Sequence, residues 1–166
     1  GKSTLINNLC GVSKAITGDR PGVTKGKQWV KIASGIEILD TPGTLWPAFD
    51  NNVVAHHLAY IGSIKEEVLD IPSLSLDFIE EMCSIDPSIL TTRYNITIET
   101  DDEPVMILEN ICKSRGYLLK RNELDYDRGA FALINDFKSN RLGKISLEKV
   151  SDIKKLKVKD RLNQDA

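Results

Sequence analysis

Apolar positions along the chain follow two rhythms, and the change from one to the other divides it. Leu5, Ile6 and Leu9 recur at helical spacing before Gly11, which predicts a short opening helix. Asp19-Arg20-Pro21-Gly22-Val23-Thr24 is polar and broken by Pro and Gly, and reads as a loop. Two strand-like runs follow, Lys27 to Ala33 and Ile36 to Asp40. Ser34-Gly35 between them suits a two-residue hairpin turn. Trp29, Val30 and Ile32 in the first run, and Ile36, Ile38 and Leu39 in the second, supply the apolar faces. Val54, Leu58 and Ile61 then mark a helix stopped by Gly62.

From Ser63 onward the rhythm is helical, with Ile64 and Val68 one turn apart. Pro72 opens a segment carrying Leu74, Phe78, Ile79 and Met82 on one face. Asp86-Pro87 starts a short helix with Asp86 as its N-cap. Asp102 and Pro104 do the same for a helix carrying Val105, Leu108, Ile111 and Cys112, ended by Gly116. Asp127 precedes a last stripe of Ala130, Phe131, Ile134 and Phe137. Stripes of this kind are core, and four such helices predict a small bundle. The expected fold is therefore an α/β front (helix, loop, β-hairpin) followed by a small all-α domain.

Composition changes this picture little. Apolar residues at 41% and charged residues at 28% are an ordinary globular balance. No run of eighteen apolar residues exists, so no membrane-spanning segment is expected. No secretory leader is visible, and the Gly at position 1 reads as a fragment's start, from which a leader could have been lost. Cys10, Cys83 and Cys112 are far apart and form no zinc-like spacing. They read as small buried hydrophobes in a reducing compartment. His56 and His57 are adjacent, face different sides of a helix, and read as surface or packing residues.

Charge is more informative. The net value of −2 hides a basic front, an acidic middle and a basic tail. Residues 66–109 hold one Lys/Arg against twelve Asp/Glu, and residues 138–166 hold nine against four. The acidic run reads as a solvated face. Lys138, Arg141 and Lys144, then Lys154, Lys155, Lys157, Lys159 and Arg161, read either as a solvated end or as phosphate contacts to RNA. Few aromatics accompany these tail charges, so backbone contact is expected over base reading.

The candidate chemistry sits in the first forty-odd residues. Gly1-Lys2-Ser3-Thr4 is the second half of a phosphate loop, GxxxxGK[ST], opening a helix. Backbone N–H groups at Gly1, Lys2 and Ser3 would face phosphate oxygens. Lys2 would reach the β- and γ-phosphates, and the Ser3 hydroxyl would bind Mg²⁺. Thr24 reads as a second Mg²⁺ ligand or as part of a plain turn. Asp40 ends a strand where such folds place the acid that holds the metal through water. Gly43, in Leu39-Asp40-Thr41-Pro42-Gly43, would offer its N–H to the γ-phosphate. Trp46-Pro47-Ala48-Phe49 reads as a hydrophobic anchor or as a switch segment.

These pieces, in this order, resemble P-loop GTPases. TGDRPGVTKGKQWVKI followed by LDTPGTLWPAFD resembles the ribosome biogenesis GTPase A family and its mitochondrial relatives, which are circularly permuted GTPases. The likeness is close from Gly1 to about Phe49 and looser to about Glu148. It implies residues 1–62 as the C-terminal part of a permuted GTPase domain, residues 63–148 as a helical RNA- and ribosome-binding domain, and 149–166 as a basic tail. It further implies GTP and Mg²⁺ as ligands, and the large ribosomal subunit and its rRNA as partners. A monomer is expected, in the cytoplasm or, for a eukaryotic source, the mitochondrial matrix. In that family the Asn/Thr-Lys-x-Asp guanine reader precedes the phosphate loop, and no such motif stands here. The family's loop asparagine, associated with K⁺, and an upstream histidine linked to hydrolysis would also lie there. Thr44 and Leu45 follow Gly43 and offer no base, so no catalytic residue is assigned. Three readings stay open: a GTPase module for large-subunit assembly whose activity needs the full-length parent, a non-enzymatic rRNA-binding helical module with a nonfunctional GTPase remnant, and an ATPase with the same loop.

Overall fold

The structure is a computed structural model that describes residues 2–11, 26–33, 35–40 and 52–149. The chain divides into two compact units, Gly1–Asp70 and Ile71–Ala166.

In the first unit, helix α1 (Lys2–Cys10) precedes strands β1 (Gln28–Ala33) and β2 (Ile36–Asp40), which pair antiparallel. Gly35 takes a left-handed φ of 81°, which a side chain would disfavour, and Ala33 pairs with Ile36 across the turn. The register slips between Lys31 and Ala33, so one residue of β1 is extra and the strand bends there. Ile6 of α1 and Val30 of β1 are buried together, with Cys10 and Ile38 packed beside them. Of the expected apolar positions, Trp29, Ile36 and Leu39 are exposed. The alternation of a strand allows only one face to meet α1, and Val30 and Ile38 occupy it.

Helix α2 (Asn52–Tyr60) ends where Gly62 turns left-handed and Ser63 N–H reaches back to Leu58 C=O at 2.9 Å. Its buried residues are His57, Ala59 and Tyr60, while Val54 and Ile61 of the expected stripe are exposed. The tyrosine ring outweighs the smaller valines as buried apolar area. The segment expected to continue as helix holds only a 3₁₀ turn, Glu66–Val68, and Val68 is exposed.

The second unit contains α3 (Ile71–Ile85), α4 (Ser88–Tyr94), α5 (Pro104–Arg115) and α6 (Tyr126–Lys138), with α3 packed on α4, α5 and α6. Leu74, Phe78, Ile79 and Met82 of α3 are buried as their spacing predicts. Phe78 meets Phe137 of α6 at 5.1 Å between ring centroids, tilted by 57°. Asp86 accepts a hydrogen bond from Ser88 N–H at 2.9 Å, so its carboxylate serves the start of α4. Asp102 does not cap α5, because its carboxylate accepts from Glu99 N–H instead. Pro104 at the first turn of α5 needs no partner for a missing N–H. In α5, Ile107 is buried and Val105 exposed, the reverse of the expected weighting.

Asp125 caps helix α6 by accepting from Arg128 N–H at 3.0 Å, and Asp127 lies in the first turn. The buried face is Ala130, Leu133 and Ile134, and Phe131 stands half exposed. Phe131 follows Ala130 directly, so it lies about 100° round the helix from that face. Gly129 sits where α6 meets α5, and a Cβ there would collide with Cys112 Sγ. All three cysteines are free, but only Cys112 is fully buried.

A buried polar knot ties the far ends of these helices. Asp136 of α6 accepts from Arg93 Nε at 2.8 Å, Tyr94 OH at 3.1 Å and Arg141 at 3.1 Å. Burial pushes its carboxyl upward, but the hydrogen bonds from Arg93, Arg141 and Tyr94 outweigh burial and hold it below the usual carboxylate range. Burial, with Asp136 alongside, pushes the Tyr94 phenol well up, so it stays a donor. Left-handed turns aim the surrounding residues. Asn140, at φ 58°, lets Arg141 N–H bond to Asp136 C=O, which folds Arg141 back onto the Asp136 side chain.

Two tests follow from this packing. Gly129→Ala gains helix propensity of about 1 kcal/mol but overpacks the α5–α6 contact by about 1–3 kcal/mol. Urea unfolding should show net destabilisation, relieved when Cys112→Ala is added; a G129A chain as stable as the parent contradicts the close approach. For Asp136 the folded pKa lies below the unfolded value of about 3.9, so its contribution is present above that value and lost as pH falls through the folded pKa. D136N should therefore cost about 2–4 kcal/mol near neutrality, with the gap to wild type closing on titration toward about pH 3. A gap that is the same at both ends would remove the charge from the explanation.

Candidate nucleotide site

The sequence places a phosphate-binding turn at the start of α1, and the structure puts a helix there. Lys2 begins α1, and Ser3 and Thr4 lie in its first turn, Ser3 half-buried and Thr4 exposed. First-turn N–H groups have no carbonyl partner within their own helix and carry the positive end of its dipole. This is the chemistry an anionic oxygen needs. Asp40 is the last residue of β2 and pairs with Gln28 in the hairpin register.

Packing relates these two ends. Ile6, one turn beyond Lys2 and Ser3, is 4% exposed, and Val30 opposite it is 2% exposed. At the other end of α1 the Cys10 thiol donates to Lys31 C=O at 3.8 Å. Helix α1 therefore lies along β1, and β1 carries β2 with Asp40 at its carboxyl end. Gly1, Thr24 and Gly43, together with the Trp46–Phe49 segment and Lys154, Lys155, Lys157, Lys159 and Arg161 of the tail, lie outside the described residues.

The donor set suits Mg²⁺, a hard cation that takes hydroxyl and carboxylate oxygens and keeps several waters. A half-buried Ser3 hydroxyl at a helix start and an acid at a strand end are of that kind. Among the described residues, no group of three or more His, Cys, Asp or Glu gathers to hold a metal. No helix among them is long and apolar enough to cross a membrane.

The fold also assembles a constellation that sequence reasoning missed. Four arginines from α4, α5, α6 and the turn after α6 line one recess of about 310 Å³ in the second unit, with Tyr117 and Phe131. Arg128 lies 4.9 Å over the Tyr117 ring, and Arg115 lies 5.2 Å over that of Tyr94. Arg115 also donates to Arg93 C=O at 2.8 Å. The available signal was on α6, where Arg128 and Phe131 fall three residues apart on the side away from the core stripe.

Comparison with known proteins agrees with the α1–hairpin geometry. Residues 1–110 match the family model of 50S ribosome-binding GTPases. Over 156 residues the chain is 40% identical to ribosome biogenesis GTPase A of Bacillus licheniformis, covering 92% of this chain and 54% of that protein. The same-named protein of Bacillus cereus is 37% identical over 163 residues, covering 94% and 55%. The chain thus spans about half the length of the curated relatives it matches. Among solved structures it is similar in fold to the GDP-bound TM YlqF (TM-score 0.60, 24% identical, 91% of this chain and 56% of that one). GNP-bound YlqF from T. maritima aligns with a TM-score of 0.55 at 26% identity, over 90% and 55%. The opening helix and hairpin, the match to the family model over residues 1–110 and the sequence relatives agree: the chain belongs to the 50S ribosome-binding GTPase family, with the P-loop GTPase fold.

Proposed function

We propose that this chain is part of a GTP-hydrolysing assembly factor for the large ribosomal subunit, working as a Mg²⁺-dependent nucleotide switch in the cytoplasm. The observation that carries this is α1, begun by Lys2-Ser3-Thr4, packed through Ile6 on a hairpin whose second strand ends at Asp40. Lys2 would hold the β- and γ-phosphates, and Ser3 and Thr24 the Mg²⁺, with Asp40 acting through water. The N–H groups of Gly1 and Gly43 would take phosphate oxygens. Mg²⁺ supplies charge neutralisation across the phosphates. The protein side supplies fixed donors, which cost no reorganisation when charge develops. The second unit would carry the contact with rRNA.

Hydrolysis is assigned to the complete protein, not to this chain alone. Thr44 and Leu45 cannot act as bases, and the guanine-reading motif is absent from these residues. The described sheet has two strands, and Trp29, Ile36 and Leu39 on it are exposed, as are Leu5 and Leu9 of α1. A two-stranded hairpin covered by one helix is a marginal platform for a tight site.

Calorimetric titration with GTP and Mg²⁺ tests both parts. In the complete protein, Lys2→Ala should weaken binding by about 30-fold or more, as for loss of a charge-assisted phosphate contact of about 2–3 kcal/mol. An unchanged affinity would remove Lys2 from the site. The 166-residue chain by itself should bind GTP in the millimolar range or not at all; micromolar affinity would show that the site is already complete here.

A further inference from the structure

The arginine recess of the second unit holds more cationic groups than the lock between α4 and α6 uses. Two of its four guanidiniums, those of Arg93 and Arg141, are committed to Asp136. Arg115 and Arg128 pair with no carboxylate among the described residues. Both are exposed, and each is stacked on a tyrosine ring. A cation over a ring face keeps its edge N–H groups directed outward; Arg115 gives one of them to Arg93 C=O at 2.8 Å and retains the others. Among the described residues Asp136 is the single carboxylate lining the recess, and its oxygens are already taken by Arg93, Tyr94 and Arg141. The recess therefore carries net positive charge with no internal anion to satisfy it.

Phe131 adds the second half of the chemistry. It lies on the same wall, half exposed, three residues after Arg128. A phenyl ring beside guanidiniums that no carboxylate neutralises offers a π-face next to phosphate donors. That pairing suits a nucleotide unit, whose phosphate takes the forks while its base stacks on the ring. The volume of about 310 Å³ lies at the small end of ligand pockets, sufficient for one such unit. An acidic or phosphorylated peptide would use the arginines but leave the ring unmatched.

We propose that Arg115, Arg128 and Phe131 form a binding site for single-stranded RNA, taking a backbone phosphate on the two guanidiniums and an unpaired base on the phenyl ring. Choosing RNA rests on the ribosomal reading above; the site itself rests on these side chains. This places base stacking where the tail's charges alone suggested only backbone contact.

The test is fluorescence anisotropy with a labelled single-stranded RNA of about twelve mixed nucleotides, long enough for one OB-fold-sized site, without GTP, over a range of salt. R115A and R128A should each weaken binding and flatten the slope of log K against log salt by about 0.7. F131A should weaken binding by about 5-fold or more and leave that slope unchanged, since stacking releases no counterions. R128K should keep the slope while losing affinity. Circular dichroism melts check that each variant remains folded, which the exposure of all three side chains favours. The proposal is overturned if no RNA binds at low salt, if the three variants bind as wild type does, or if only K154A/K155A/K157A abolishes binding. It is equally overturned if a phosphopeptide binds the site and RNA does not. No GTP enters these measurements, so failure here leaves the GTP titration to decide the GTPase reading separately.

Discussion

One buried contact, Ile6 against Val30, determines what the first unit can do. It clamps a nine-residue helix onto a hairpin that could not stand alone. Because Ile6 lies one turn from Ser3, the same contact fixes the start of the helix, where the unpaired N–H groups are. Because Val30 pairs with Ile38 in the hairpin register, it also fixes the strand that ends at Asp40. The proposed site needs a constant separation between the start of α1 and Asp40, and this hydrophobic pair supplies a fixed link between the helix and the hairpin. The geometry is local and modest, which is consistent with a site that draws on the rest of a longer protein.

The second unit is organised on a different principle. Its core is apolar, built from the stripes of α3, α5 and α6, but its outer end is set by one carboxylate. Asp136 gathers Arg93 and Tyr94 from α4 and Arg141 from the turn after α6. A buried charge must be paired, so the helices cannot slide without stranding it. The same pairing concentrates guanidiniums at one place, and Arg115 and Arg128 add to them through aromatic stacking. Structure and electrostatics here have one origin: the residues that lock α4 to α6 also form the floor of the basic recess.

The parts of this account that were legible in the sequence are those with local causes. Gly11, Gly62 and Gly116 stop helices because each takes a left-handed conformation, a demand visible in the residue itself. Ser34-Gly35 announced the hairpin, and the α3 stripe announced its buried face. The family was legible because GKST and DTPG stand in that order, and residues 1–110 match the family model. What failed were choices among neighbouring apolar residues. Phe131 is larger than Leu133, yet Leu133 is the one buried, because helix phase is set by the cap at Asp125 and not by size. Asp102 looked like a cap and instead closes a turn with Glu99. The Asp136 knot was not legible: two of its three partners lie 42 and 43 residues away, and no local pattern marks such a contact. Thr24 and Gly43 rest on motif order alone, since they fall outside the described residues.

The central claim is that a triphosphate and its metal sit between the start of α1 and the end of β2. A crystal structure of the complete protein with a nonhydrolysable GTP analogue and Mg²⁺ measures this most directly. The account predicts the Ser3 hydroxyl oxygen bound to the metal at about 2.0–2.1 Å, Lys2 against the β- and γ-phosphates, and Asp40 reaching the metal through water. Nucleotide density placed away from Lys2, Ser3 and Asp40 would contradict it.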